Sequence, residues 1–305
     1  MMSSAPWQLG ASLYTPATRP DLVALGSGKI SGLSSLIYCT EDAVREADVP
    51  RALDNLRAAL PQLPLTGSPL RFIRARNPDV LAQLLTLNLS AITGFVLPKI
   101  HDGNLAEYMR VLERSGQDHL KVMPTLETRE ALSETRMTLL RDLIFMEGWP
   151  GRVLSLRVGG NDLMHALGVR RVPGRTLYEG PLERVMGMLV GVFKPYGLSL
   201  SSPVYEVYSD PGTLAREVAQ DLEYGLCGKT IIHPAQLATV LEGYRVPESE
   251  LLEARAILAP DAPAVFSMHG RMCEPATHSR WAQDVLARAE LYGVRRVTEN
   301  EALNF

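Results

Sequence analysis

Short runs of apolar and β-branched residues recur along the chain, each followed by a longer stretch with apolar positions every three or four residues. The first kind of run predicts a strand, the second a helix. Strands are expected at Ala11–Pro16 (ASLYTP), Ser35–Thr40 (SLIYCT), Leu70–Arg74 (LRFIR), Thr93–Leu97 (TGFVL), Leu120–Met123 (LKVM), Val153–Val158 (VLSLRV), Leu198–Ser201 and Lys229–Ile232 (KTII). Helices are expected at Ala43–Leu60, with Ala47, Leu53 and Leu56 facing inward, and from Asp79 after Asn77-Pro78. Further helices are expected at Leu105–Arg114, at Glu127–Phe145 in two pieces, and at Asp162–Leu167, Leu182–Tyr196 and Pro211–Tyr224. After His233-Pro234 the alternation stops. A helix at Glu248–Leu258, an extended segment at Ala264–Met272 and a helix at Thr277–Tyr292 follow.

Eight β-then-α units in about 240 residues is the count of an α/β fold of the (β/α)₈ TIM-barrel type. An open doubly wound sheet is the competing architecture. It would show a Gly-rich nucleotide turn after the first strand, and TPATRP is not one. The chain then divides into a barrel domain over residues 1–245 and a C-terminal helical arm or lid over 246–305, packing on a neighbouring subunit.

Composition narrows the function classes. A hydrophobic fraction of 46% against 21% charged supports a large core. A net charge of −3 gives no electrostatic reason to expect nucleic acid or an anionic membrane as partner. No apolar run follows the first cation, Arg19, so no secretory signal is expected. The most apolar stretch, Val185 to Phe193, is too short to span a membrane. Cys39, Cys227 and Cys273 lie far apart, without zinc-ligand spacing, and such sparse cysteine usage fits a reducing cytoplasm.

In a barrel of this type reactive groups sit at the C-terminal ends of strands. That rule selects Glu41 and Asp42, Arg74 and Arg76, Pro98-Lys99, Glu127, Gly159-Gly-Asn-Asp162 and His233. Glu127 and Asp162 follow adjacent strands. Two carboxylates so placed suit Mg²⁺, which keeps several waters, or else serve as N-terminal acids of their helices. Arg74 suits either a substrate carboxylate or an ion pair with Glu41 or Asp42. Lys99 is a Schiff-base candidate only with a depressed pKa; binding an anion or pairing with a carboxylate is the other reading. His233 is read as capping the rim by hydrogen bonds, with a base as the alternative.

Eight motifs in order then resemble one family. They are Ser12-Leu-Tyr14-Thr-Pro16 with Arg19-Pro20; Thr40-Glu41-Asp42-Ala43-Val44; Phe72-Ile-Arg74; Leu97-Pro98-Lys99; Glu127-Thr128; Gly160-Asn161-Asp162-Leu163; Gly225 through Lys229 to His233-Pro234-Ala-Gln236; and Gly270-Arg-Met272-Cys-Glu274-Pro275. The chain resembles the citrate lyase β-subunit-like proteins of the citrate lyase, malyl-CoA lyase and HpcH/HpaI aldolase superfamily. The resemblance implies a C–C bond lyase that acts through an enolate on a small oxo-acid or hydroxy-acid, or on its CoA thioester. It implies Mg²⁺ on Glu127 and Asp162. It gives catalytic roles to Arg74, Glu41, Asp42 and Glu274, the last a proton carrier on the C-terminal arm. Substrate contacts fall to Arg74, Arg76, Lys99, Pro98 and Tyr14. A homotrimer or hexamer that exchanges the arm is also implied. A thioesterase or synthase on the same scaffold is the alternative, as is a non-catalytic ligand-binding barrel. Three departures resemble a side branch: Cys39 where the family has Asp, Thr40 where it has Leu, and Arg76 where it has Asn; Glu274 also stands where the family has Asp.

Overall fold

The computed structural model describes residues 5–67 and 69–296; parts of both expected domains, at 1–4, 68 and 297–305, lie outside the described residues. Two compact units emerge: Leu9–Val240, and the described residues of Met1–Gln8 with Leu241–Phe305.

The first unit is the eight-stranded parallel barrel. Its strands are β1 (Ala11–Pro16), β2 (Ser35–Cys39), β3 (Leu70–Arg74), β4 (Gly94–Leu97), β5 (Lys121–Leu126), β6 (Leu156–Val158), β7 (Leu200–Ser201) and β8 (Lys229–Ile231). They run side by side in sequence order, with β8 paired to β1. A parallel bridge between Ser202 and Lys229 joins β7 to β8 and closes the ring. Helices follow the strands where the periodicity places them, for instance Pro78–Leu84, whose first turn is capped by the Asn77 side chain accepting from the Val80 amide at 2.8 Å.

Two expectations shift for local reasons. The helix after β2 starts at Val49, because Pro50 suits a first turn and not a helix interior. Ala47 is therefore exposed, and Leu53 and Leu56 alone of the three inward candidates are buried. β5 runs on past Pro124 to Leu126, since ladder bonds to its neighbours continue on either side of the proline.

Alternation along the strands builds the interior in layers. Ile37, Phe72, Val96 and Met123 pack with Leu9 into an apolar layer. Two residues further along β2, β3 and β5 stand Cys39, Arg74 and Thr125. The apolar floor thus gives way to polar chemistry within one pleat repeat.

A second buried polar group lies outside that layer. The Lys229 ammonium is fully buried and meets Glu217 Oε1 and Asp221 Oδ2, each at 2.8 Å. Arg171 donates to the Glu217 carboxylate and to Glu206 Oε2 at 2.8 Å, and Tyr178 donates to Asp221 Oδ1 at 2.6 Å. These contacts tie the loop after β6 to β8 and to the helix Pro211–Glu223.

The second unit joins the two ends of the chain. Its core is Val246, Leu251, Ala254, Ile257, Cys273, Ala282 and Val285. The Trp7 indole donates to Asp284 Oδ1 at 3.0 Å and meets the Tyr244 ring edge-on at 6.2 Å. The extended segment expected at Ala264–Met272 is a hairpin, Phe266–Met268 against Arg271–Cys273. Its two-residue turn has His269 at φ 50° and Gly270 at φ 74°, the pair of left-handed positions that a type I′ turn requires. All three cysteines are free and buried. Among the described residues no helix is long and apolar enough to cross a membrane.

Candidate active site

Arg74 closes β3 and is 7% exposed. Its Nη2 lies 2.6 Å from Glu41 Oε2, 3.0 Å from Glu127 Oε1 and 3.2 Å from Asp42 Oδ2. Burial opposes its charge, but Tyr14, Glu127 and Glu41 outweigh that and hold its pKa well above the usual arginine value. Lys99 Nζ meets Glu41 Oε1 at 2.5 Å and Asp42 Oδ1 at 3.1 Å. Partial burial would depress the ammonium, yet the bonds to Glu41 and Asp42 raise its pKa. A Schiff-base lysine needs the opposite shift, so Lys99 takes the ion-pair reading.

Glu127 follows β5 and is 4% exposed. Its Oε1 accepts from Arg74 Nη2 and from the Lys99 amide at 2.8 Å. That amide is aimed by a Lys99 φ of 54°, a left-handed conformation that costs energy for a residue with a Cβ. Gly159 gives the carboxylate room, since a Cβ there would stand 2.5 Å from Glu127 Oε2. Burial, opposed by Arg74 and reinforced by Asp162, pushes the Glu127 carboxyl up to about 7. Asp162 sits in the first turn of the helix Gly160–Ala166, half-buried. Neither acid caps its own helix. Among the described residues no hydrogen bond or ion pair engages the Asp162 carboxylate.

Both acids line one cavity of about 240 Å³ at the barrel mouth. Tyr14, Cys39, Asp42 and Arg74 line it too, together with Thr125, Arg157 and Thr230, which the strand-end rule passes over. Arg157 did carry a signal, as the one cation inside the apolar run VLSLRV. Burial raises the pKa of the Cys39 thiol, so it stands as a neutral group where the family has an anion. Among the described residues no three His, Cys, Asp or Glu side chains gather as a metal cage. Two carboxylates with open space beside them instead fit a hard cation such as Mg²⁺, which takes one or two protein carboxylates and completes its shell with water and substrate oxygens.

The remaining candidates fall elsewhere. Arg76, expected at the substrate, turns away from the cavity wall. Its Nη1 donates to the carbonyls of Thr40, Glu41 and Val44 at 3.4, 3.3 and 3.1 Å and braces the loop that carries the acids. Pro98 is buried and, like Glu41 and Lys99, stands outside the cavity wall. His233 caps the turn after β8, its Nδ1 accepting from the Ala235 amide at 3.1 Å. Glu274 belongs to the second unit, where it precedes the helix Pro275–Tyr292 and its Oε2 accepts from Thr277 Oγ1 at 3.1 Å.

Residues 3–294 match the family model described as C–C bond lyase of the TIM-barrel fold. A citrate lyase subunit β-like protein of Deinococcus radiodurans is 26% identical over 279 residues, which is 88% of this chain and 91% of the relative. A (3S)-malyl-CoA thioesterase of Cereibacter sphaeroides is 25% identical over 295 residues, 94% of this chain and 96% of the relative. The fold is shared with CitE of Mycobacterium tuberculosis, solved with magnesium, acetoacetate and coenzyme A. The TM-score is 0.68 at 23% identity, over 92% of this chain and 98% of that one. Sequence order, barrel and family match agree, and the chain belongs to the family of C–C bond lyases of the TIM-barrel fold.

Proposed function

We propose that this lyase depends on magnesium and makes or breaks a C–C bond in a small oxo-acid or hydroxy-acid, or in its CoA thioester, by way of an enolate. The observation that carries this reading is the pair Glu127 and Asp162 on one cavity wall, with Asp162 unpaired and its charge raising the cost of ionising Glu127. The magnesium and coenzyme A bound by the fold relative CitE support it. When bound, magnesium supplies a Lewis acid that polarises a carbonyl oxygen.

The chain's own residues supply the rest. Glu127 and Asp162 hold the cation. The Arg74 guanidinium, locked by Glu41 and Glu127, presents a fixed positive charge to the oxygen on which negative charge develops. Lys99 shares its single charge between Glu41 and Asp42, which weakens their repulsion of an anionic substrate while they steer Arg74. Proton transfer is assigned, on the family pattern, to Glu274 on the C-terminal arm of a neighbouring subunit; Glu274→Gln is then slow in turnover with magnesium binding unchanged.

The test is direct. Glu127→Gln and Asp162→Asn each abolish magnesium binding by calorimetry and C–C cleavage of oxo-acid or acyl-CoA substrates. Full turnover in EDTA would sink the proposal. A second reading, thioester hydrolysis on the same site, is favoured by the malyl-CoA thioesterase relative. Product analysis separates them, because hydrolysis releases free CoA and leaves the carbon chain intact.

A further inference from the structure

Arg157 is the middle residue of β6 and is 2% exposed. A guanidinium this deep ordinarily has a carboxylate partner, because an uncompensated buried charge costs several kcal/mol. Among the described residues Arg157 has none. Its Nη2 donates to Thr230 Oγ1 at 2.5 Å, its Nη1 approaches Met123 Sδ at 3.8 Å, and its guanidinium carbon lies 5.5 Å from the centre of the Tyr14 ring. All three neighbours are neutral. The Thr230 hydroxyl hydrogen is directed to the Ser202 carbonyl at 3.3 Å, which leaves its oxygen to accept from Arg157 and fixes the fork.

Arg74 makes the contrast. It lies 5.9 Å from the same Tyr14 ring but touches three carboxylates. The cavity therefore contains one arginine that the protein holds in ion pairs and one that it does not. A second observation points the same way. Thr125 is the register neighbour of Arg157 on β5, lines the same cavity, and has a buried hydroxyl with no hydrogen-bond partner. An unpaired charge and an unpaired hydroxyl, side by side on adjacent strands, are both satisfied by one incoming oxyanion.

We propose that Arg157 binds an anionic group of the substrate, a carboxylate or a phosphoryl group, separate from the oxygens assigned to Arg74 and the magnesium carboxylates. The substrate class is then an oxo-acid with an anion at each end. This rests on reading the cavity as the lyase site.

Calorimetry with pyruvate, oxaloacetate and phosphonopyruvate, each with and without magnesium, tests it. The wild-type protein binds at least one dianion at least about tenfold more tightly than pyruvate, the worth of one charge-assisted hydrogen bond. Arg157→Gln removes that preference and leaves pyruvate affinity unchanged; Arg157→Lys keeps part of it. Preference for oxaloacetate identifies a carboxylate and preference for phosphonopyruvate a phosphoryl group. Equal affinity of the wild type for pyruvate and both dianions, or binding of neither dianion, overturns the proposal without any variant. Equal loss of pyruvate and dianion affinity in a folded Arg157→Gln protein overturns it as well. If every ligand binds equally well with and without magnesium while the dianion preference remains, the metal reading fails and Arg157 stands.

Discussion

Gly159 and Glu127 are packed so closely that no side chain fits between them: a Cβ on Gly159 would lie 2.5 Å from Glu127 Oε2 and closer still to its Cβ. The φ of Gly159 is −92°, open to any residue, so space alone demands the glycine. Gly159→Ala therefore displaces the Glu127 backbone or side chain. The expected cost is about 1–3 kcal/mol of stability, with a weaker magnesium site. Denaturant unfolding together with magnesium titration checks both, and an alanine variant with wild-type metal affinity would contradict the placement of Glu127.

The raised Glu127 carboxyl sets a pH dependence. The folded protein keeps that proton up to about 7, whereas the unfolded chain loses it near the usual glutamate value of about 4.3. The metal-free fold consequently loses stability as the pH rises between the two values, because the unfolded state releases its proton first. Magnesium competes with the same proton, so its apparent affinity falls about tenfold between pH 8 and pH 6. Titrations at several pH values, with thermal unfolding in EDTA of the wild type and Glu127→Gln, measure both effects. The difference between the two proteins isolates this one group.

Lys229 has a structural task. Its ammonium balances Glu217 and Asp221 where no water reaches them. Burial pushes Asp221 up, and Lys229 and Arg171 pull Glu217 down against burial. Lys229→Met leaves two acids against the single cation Arg171 and should cost about 3–5 kcal/mol. Adding Asp221→Asn recovers part of the loss. Urea unfolding of the single and double variants shows whether the coupling exists.

Much of the barrel was legible because its signals are local. Apolar runs with β-branched residues mark β1 and β3 at their observed bounds, and the periodicity of Leu105–Arg114 marks its helix. The strand-end rule also found Arg74, Glu127 and Asp162, since the C-terminal end of each strand faces one common mouth. It failed for Arg76, only two residues beyond Arg74. Strand alternation ends with β3, and Arg76 turns to the carbonyls of the loop at residues 40–44. It also passed over Arg157, because a strand interior reads as core until its neighbours are known.

The sequence by itself determined the order of eight β-then-α units and the family. Periods of two and of three to four residues are enough for the first, and eight motifs in order carry the second. Tertiary structure alone decided how the charges pair. Glu41 and Glu127 are claimed by Arg74, Lys99 is bound to Glu41 and Asp42, Asp162 is left open, and Arg157 is buried without a counter-ion. Those pairings join residues from different strands across a closed ring. Their energies depend on distance and burial, which no period along the chain encodes.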